Sequence, residues 1–204
     1  MQRASGRSTL AAVLLALLGA APASANFHLW QIEEIFSNQD GSIQYVEFFS
    51  SAQLDQNQLL NHMLQSKQGT TTVLDSFAFP SNLGTPTQDH FFLVATPAFE
   101  AAAGIKPDYT FDQGQVFVHL GATNRIELAG ASTTPFTFDA SALPTDGTHA
   151  LAAVGGTMFP PEVVVASPTN FAGEQGQLVP EPDAVLGAVV ALGALAWIAR
   201  RRGL

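Results

Sequence analysis

The sequence predicts an all-β domain, a β-sandwich, between two apolar ends. From residue 26 onward the helical period is mostly absent, and short segments rich in β-branched and aromatic residues alternate with turn residues. Prolines and glycines, 12 and 17 in the 204 residues, fall between many of these segments. The chain has no cysteine, so no disulfide bond can hold the domain together. We therefore expect residues 26–173 to fold as one sandwich around an apolar core.

The opening hairpin is the most clearly patterned element. Residues 27–37 predict a strand with Trp30, Ile32 and Phe36 on one face. An Asn-Gln-Asp-Gly turn follows, and its Asp-Gly pair suits the positive φ angles of a tight hairpin. The returning strand, at 42–50, is dense in β-branched and aromatic residues.

The rest of the domain predicts more short strands. We expect them at 71–79, 91–96, 115–120, 125–128, 136–139 and 149–154. A short helix is predicted at 97–103, where Gly104 would end it. The Leu- and Gln-rich stretch 53–65 is ambiguous, although its leucines could face a core. Residues 174–179 predict a short polar linker after the domain.

Composition and charge exclude two classes of protein. With 47% hydrophobic residues, the chain is too apolar to be disordered. With 8 basic against 17 acidic residues it lacks the basic footprint of a nucleic-acid-binding protein. Five of the eight basic residues lie at the two ends, so the part between Asn26 and Val179 has three basic and fifteen acidic residues. Basic ends around an acidic middle suggest two membrane-facing signals around an exported domain.

Residues 1–25 are predicted to be a secretory signal peptide. Two arginines precede a Leu- and Ala-rich apolar run, and Ala23 and Ala25 supply the small side chains that signal peptidase accepts. We expect export by the Sec machinery and cleavage between Ala25 and Asn26. An uncleaved anchor is the alternative, although the run is short for a membrane span.

The C-terminal end, 180–204, has three parts in order: the tripeptide Pro180, Glu181 and Pro182, an apolar run at 184–199, and the cluster Arg200, Arg201 and Arg202. As a helix the run would rise about 24 Å, slightly less than a hydrocarbon core of ~30 Å, so it predicts a short transmembrane helix. The arginines should stay cytoplasmic, which would leave the domain outside the membrane.

These three parts resemble the PEP-CTERM sorting signal of Gram-negative bacteria. The resemblance implies recognition by an exosortase, a membrane protease or transpeptidase, near Glu181. The protein would pass transiently through the inner membrane and reach the cell surface or the extracellular polysaccharide matrix. A plain C-terminal membrane anchor is the alternative.

Two stretches of the domain resemble a lamin-tail domain. The first is Ile32-Glu-Glu-Ile-Phe-Ser-Asn38 with Tyr45-Val-Glu-Phe48, and the second begins at Phe91-Phe-Leu-Val-Ala-Thr96. The resemblance implies an immunoglobulin-like sandwich with an adhesive or scaffolding role and no catalytic residues to transfer. The family often continues its second strand with an Asn where this chain has Ser50.

Candidate chemistry in the domain is sparse. Glu34 and Glu47 lie on facing strands of the predicted hairpin, where they could bind a cation, carry out acid–base work or accept buried hydrogen bonds. The five histidines show no metal-binding spacing, and we find no serine nucleophile elbow or phosphate-binding loop. The sequence therefore predicts no catalytic residue, no metal site and no cofactor.

We expect a non-enzymatic, structural or adhesive protein of the cell surface or matrix, with exopolysaccharide as one partner. A secreted module that binds a glycan or a cation is the first alternative. An exported hydrolase whose site is not recognisable from the sequence is the second.

Overall fold

The computed structural model describes residues 27–131, 134–153 and 160–178. The predicted signal peptide with its cleavage point at Asn26, the Pro180-Glu181-Pro182 motif, the apolar run and the arginine cluster lie outside these residues. Among the residues that are described, no helix is long and apolar enough to cross a membrane.

The described chain contains one short helix and ten strands. In chain order they are β1 (Gln31–Ser37), β2 (Gln44–Ser50), β3 (Met63–Gln68), β4 (Thr72–Ala78), β5 (His90–Ala95), α1 (Phe99–Ala103), β6 (Tyr109–Thr110), β7 (Arg125–Ala129), β8 (Phe136–Thr137), β9 (His149–Ala152) and β10 (Glu162–Val165).

The strands form two sheets, which confirms the all-β class. The larger sheet has the order β10-β9-β1-β2-β5-β6, and the smaller one has the order β4-β3-β7-β8. All neighbours are antiparallel except the short β5–β6 pair. The main core joins both sheets, since Ile35, Val46 and Phe92 of the larger sheet belong to the same apolar cluster as Leu64 and Ile126 of the smaller one.

The opposite face of the larger sheet is also covered. A second apolar cluster contains Phe36, Tyr45 and Leu93, which alternate along their strands with residues of the main core. Helix α1 contributes Phe99 to it, and the end of the described chain contributes Ala166. The central strands β1, β2 and β5 of the larger sheet are therefore buried on both faces, by the smaller sheet on one and by α1 and the C-terminal segment on the other.

A β-bulge in β1 changes which residues of this strand share a face, so one sequence prediction is wrong. Ile32 pairs with Phe48 but Glu34 pairs with Glu47, so the register shifts by one residue at this point. The prediction that Trp30, Ile32 and Phe36 share a face is wrong for Phe36, which lies in the second cluster. Because the bulge adds one residue, side chains beyond it change faces.

The other predicted elements agree with the structure to different degrees. The strands at 42–50, 71–79, 91–96, 125–128, 136–139 and 149–154 and the helix at 97–103 are present with shifted ends. The turn is present too, with Gly41 at φ 73°. The strand predicted at 115–120 is absent, and β3, β6 and β10 were not predicted as strands.

Gln44 explains why residues 115–120 do not form a strand. Its side chain is fully buried, and its Oε1 accepts hydrogen bonds from the amides of Phe117 and Val118 at 2.9 and 3.0 Å. Its Nε2 donates to the Val118 carbonyl at 2.7 Å and to Ser37 Oγ at 3.0 Å. One side-chain amide thus replaces the ladder partner that this segment would otherwise need.

Replacing Gln44 by Leu should destabilise the protein by roughly 2–5 kcal/mol, because the buried polar groups of Phe117 and Val118 lose their partners. Chemical denaturation of the purified protein measures the change. The matched control is Gln68→Leu at an exposed position of β3, which should cost far less. Equal losses in the two variants would show that the buried amide has no special role.

Candidate functional site

The candidate site lies on the face of the larger sheet that is turned away from the smaller sheet. Glu34 and Glu47, the two acidic residues that the sequence analysis singled out, lie opposite each other on β1 and β2. Both are buried, with 4% and 3% of their surface exposed. The bulge is what places Glu34 on this face, beside Glu33 and across from Glu47.

Residues 166–178, which we call the strap, lie over these carboxyl groups. The Ser167 amide donates to Glu34 Oε1 at 3.1 Å, and the Thr169 amide donates to Glu47 Oε2. The Tyr45 hydroxyl also donates to Glu34 Oε1. Two neighbouring carboxyl groups of the sheet are therefore hydrogen-bonded to alternate amides of one extended segment.

Asp108, which sequence reasoning missed, continues the same pattern. Its carboxylate accepts from the Phe171 amide, at 3.0 Å for the shorter contact, and from the Leu93 amide of β5 at 2.8 Å. The amides at 167, 169 and 171 thus donate to three carboxyl groups, those of Glu34 and Glu47 on the sheet and that of Asp108 just before β6. The alternation of a strand-like segment accounts for this spacing, since every second amide points the same way.

The remaining contacts involve residues 170–177 of the strap, both with one another and with the rest of the domain. Asn170 Nδ2 donates to the Lys106 carbonyl at 3.1 Å and to Glu174 Oε2 at 2.7 Å. The Gly176 amide donates to the Pro168 carbonyl, and the Gln177 amide donates to the Ala103 carbonyl.

Residues 174–178, which the sequence predicts as part of a linker, therefore pack against the domain. A Cβ at Gly176 would lie 2.9 Å from an Ile105 side-chain carbon and 3.0 Å from the Ala103 carbonyl oxygen, so glycine permits this close approach. Leu178 packs against the second apolar cluster. The folded part of the chain consequently reaches beyond the predicted boundary at residue 173.

Burial raises the pKa of every carboxyl group at the site. Desolvation is the largest cause for Glu47, whose pKa rises to about 9, with smaller contributions from the charges of Glu34 and Glu33. The Thr169 amide opposes this rise. Desolvation also raises the pKa of Glu34, Glu33 and Asp108. At neutral pH Glu47 is therefore an uncharged acid.

A cavity of about 370 Å³ opens between the strap and the sheet. Its polar lining is Glu33, Glu34, Glu47, Ser167, Thr169 and Gln175. A cation needs charged or unoccupied oxygens. Here Glu34 Oε1 already accepts from Tyr45 and Ser167, and Glu47 Oε2 accepts from the Thr169 amide. The arrangement is thus better suited to holding the strap than to binding a cation.

The described residues show no group of three or more His, Cys, Asp or Glu side chains that could hold a metal ion. A second cavity of about 350 Å³ lies at the smaller sheet and is lined by Asn124, Arg125, Phe138 and Asp139 among others. Two of its polar side chains are engaged within the protein: Arg125 pairs with Glu127 at 2.6 Å, and Asn124 Oδ1 accepts from the Gly69 amide at 2.8 Å.

Two histidine–aspartate contacts occur in the described chain. His149 Nδ1 lies 2.6 Å from Asp146 within one turn, and His119 Nε2 lies 3.8 Å from Asp75. Neither histidine contacts a serine hydroxyl of the described residues, so no Ser–His–Asp network is formed there.

Comparisons with protein-family models, with characterised proteins and with solved structures find no match to the chain. The resemblances to a PEP-CTERM signal and to a lamin-tail domain therefore stay predictions from the residues quoted above. The description of the two sheets and of the strap rests on the structure alone.

Replacing Glu47 by Gln should flatten the dependence of stability on pH. Because folding raises the pKa of Glu47 from 4.5 to about 9, the folded protein keeps a proton that the unfolded chain releases between these values. Its contribution to stability is complete below about pH 4.5 and is lost as the pH rises through about 9, on the order of a few kcal/mol. Thermal denaturation from pH 5 to pH 9.5 measures the effect.

The Gln variant should match the wild type near pH 5 and be the more stable of the two at the alkaline end, since it keeps an acceptor for the Thr169 amide without a charge. Glu162→Gln, at an exposed position of β10, is the control and should leave the profile unchanged. A Glu47→Gln variant with the wild-type profile would contradict the assigned pKa.

Replacing Asp108 by Ala should loosen the strap. The change removes the acceptor for the amides of both Leu93 and Phe171, which costs about 1–3 kcal/mol for each buried amide left unpaired. Limited proteolysis should then cut the strap sooner than in the wild type. The control is Asp112→Ala at an exposed loop position, and similar cleavage in both variants would argue against this role of Asp108.

Proposed function

We propose that this chain is an exported protein of the cell surface or extracellular matrix that is sorted through a PEP-CTERM signal, with a structural or adhesive role rather than an enzymatic one. The observation that carries the proposal is the order of three features at the C-terminal end, namely the tripeptide, the apolar run and the arginine cluster. They occur in a chain whose N-terminal residues predict a signal peptide. Each part alone is common, but their order and placement together indicate a sorting signal.

The physical properties of the tail favour processing over permanent anchoring. Pro180 and Pro182 disfavour a helix around Glu181, which leaves an extended segment of the kind that a protease cleft accepts. The apolar run at 184–199 is short and rich in Gly and Ala, so it holds in lipid less strongly than a Leu-rich helix of about 20 residues. Arg200, Arg201 and Arg202 keep its far end on the cytoplasmic side.

The strap of the folded domain also supports the proposal that the tail is removed. It is fixed to the domain as far as Gln177 and Leu178, and only Val179 separates it from the Pro180-Glu181-Pro182 motif. A domain that holds its own C-terminal end closed can keep its fold when the tail is cut off. Removal of residues beyond the motif would break none of the hydrogen bonds described for the strap.

For the domain itself, we propose the immunoglobulin-like, lamin-tail-like sandwich that the resemblance implies, acting as a scaffold or adhesive module. Two sheets around a common core are compatible with it. A glycan- or cation-binding module is the second candidate, and the cavity lined by Glu33, Glu34 and Glu47 is the observation in its favour. The engagement of these carboxyl groups by the strap makes it the weaker of the two.

In cells that contain the sorting enzyme, we expect the mature protein to lack the residues beyond about Glu181 and to occur outside the inner membrane. The measurement is a C-terminal peptide map of the surface and medium fractions by mass spectrometry. A strain without the exosortase should instead accumulate the uncut chain in the inner membrane.

The matched variant replaces Pro180 and Pro182 by Ala, which allows the helix to extend through the motif while the apolar run and the arginines stay intact. We expect slower removal of the tail. If the chain ending at Leu204 stays in the inner membrane of both strains, the tail is a plain anchor and the proposal fails.

A further inference from the structure

We propose that β10 pairs, edge to edge, with β10 of a second copy of this chain, so that the larger sheets of the two copies join into one sheet. β10 is an end strand of the larger sheet, and β9 is the only strand that it pairs with in the described part of the chain. The inference goes beyond the proposed function, because it concerns the folded domain and requires neither the predicted signal peptide nor the predicted sorting signal.

The outer side of β10 carries backbone groups without partners. In an antiparallel pair, every second residue directs its amide and carbonyl to the neighbouring strand. On this side of β9 these residues include Ala166, whose amide donates to the Thr148 carbonyl at 2.9 Å, and Val164, two positions earlier. The amides and carbonyls of Val163 and Val165 therefore point away from β9, and no residue that the structure describes bonds to them.

The side chains of the same two residues are apolar and exposed. Val163 and Val165 have 58% and 68% of their surface exposed. Val163 pairs with Leu151 of β9, and directly paired residues share a face of the sheet. Leu151 is 1% exposed and belongs to the main core. This face is therefore covered at β9 but open at β10, where a further strand would bury part of both valines.

The end strands β4, β6 and β8 are protected in ways that β10 is not. β6 and β8 are only two residues long. β4 pairs irregularly with β3, and Gln115 Nε2 donates to the Ser76 carbonyl of β4 at 3.2 Å. Short strands, bulges and covering groups all discourage edge pairing in native proteins. β10 has four residues, a regular register with β9 and one charged residue, Glu162, at its end. Among the described strands it is the edge most open to a partner.

A second copy of β10 fits this edge because the strand is complementary to itself. When two copies run antiparallel about Val164, Val163 of each copy lies opposite Val165 of the other. The outward groups of these residues then form four backbone hydrogen bonds, two for each opposed pair. The valine side chains meet across the two strands on one face, where cross-strand β-branched pairs stabilise a sheet. The result is a two-fold symmetric contact, which closes at two copies.

The same register keeps the charges of the two strands apart. The domain is acidic, so charge repulsion opposes its self-association. In this register, however, Glu162 lies opposite Ala166 of the other copy. The two Glu162 residues are then four positions apart along the strands, about 14 Å, which exceeds the Debye length of ~8 Å at physiological salt. No charged residue of one β10 therefore faces a charged residue of the other.

The contact is small, so we expect a weak and reversible dimer. It would bury far less than the ~1,200 Å² of a stable interface, which corresponds to a Kd on the order of 0.1 mM. Sedimentation velocity of the full chain in mild detergent, at concentrations from well below to well above this value, measures the equilibrium. The predicted tail is the same in every variant, so a difference between variants reports on the domain.

Replacing Val165 by Lys should raise the Kd at least about tenfold, because a lysine on an edge strand disfavours pairing with a further strand. The side chain is exposed, so the variant should fold as the wild type does, which circular dichroism and thermal denaturation verify. The matched control is Val73→Lys, an exposed valine of the end strand β4, which should leave the Kd unchanged.

Disulfide cross-linking tests the register. The chain has no cysteine, so each introduced thiol is the only one. A mixture of Val163→Cys chains and Val165→Cys chains should form a mixed disulfide dimer on oxidation, because the opposed Cα atoms would lie about 5.5 Å apart, within disulfide range. Either variant alone should link much more slowly, and so should the Val73→Cys control.

Three results would overturn the proposal. A wild-type chain that stays monomeric well above the expected Kd leaves the edge of β10 to a strand of another protein. A dimer that is equally strong in Val165→Lys is held together elsewhere. Cross-linking of Val163→Cys alone, as fast as in the mixture, excludes the register about Val164. Dimerisation that Val165→Lys weakens and Val73→Lys does not, with preferential linking in the mixture, supports it.

Discussion

The hydrogen bonding of three carboxyl groups to alternate amides of the strap is the constraint on which the closed form of this domain depends. Glu34 and Glu47 are buried on the larger sheet, Asp108 lies half-buried just before β6, and a buried carboxyl group without partners is too costly to persist. The strap meets this requirement with alternate backbone amides, at 167, 169 and 171. The acids bind the strap, and together with it Glu34 and Glu47 line the cavity described above.

Other features of the fold follow from this arrangement. The bulge in β1 turns Glu34 toward the strap and moves Ile35 into the main core, so that one added residue serves both faces of the larger sheet. Covering the second face also allows a six-stranded sheet to carry Phe36 and Tyr45 away from the main core, beneath α1 and the strap. The end of the folded chain is thereby fixed next to the residues that predict a sorting signal.

The sequence predicts the local elements well and the long-range ones poorly. The first hairpin, its Asp-Gly turn and the glycine that ends α1 depend on neighbouring residues, so their patterns are visible in the chain itself. The sequence also predicts that Glu34 and Glu47 lie on facing strands, because both belong to that hairpin, and the structure pairs them. The exchange of faces at Phe36 was not, since a bulge leaves the apolar pattern of a short strand unchanged.

The misses share a physical cause. Residues 115–120 look like a strand, but at Phe117 and Val118 the side chain of Gln44, more than seventy positions earlier, takes the place of a neighbouring strand. Asp108 acquires its role only through an amide 63 positions later in the strap. The polar stretch at 174–178 reads as a linker because several of its contacts, such as those of the Gly176 and Gln177 amides, are made by backbone groups, which any sequence can supply.

The most direct test of this account is amide hydrogen exchange in the strap, followed residue by residue by NMR. Because the amides of Ser167, Thr169 and Phe171 donate to carboxyl groups, we expect all three to exchange slowly in the wild-type protein. When Glu34 and Glu47 are both replaced by Ala, the amides of Ser167 and Thr169 should exchange faster. The amide of the exposed Gly114 supplies the reference rate of an open loop. If the three strap amides exchange as fast as Gly114 in the wild-type protein, the carboxyl groups do not hold the strap and the account is wrong.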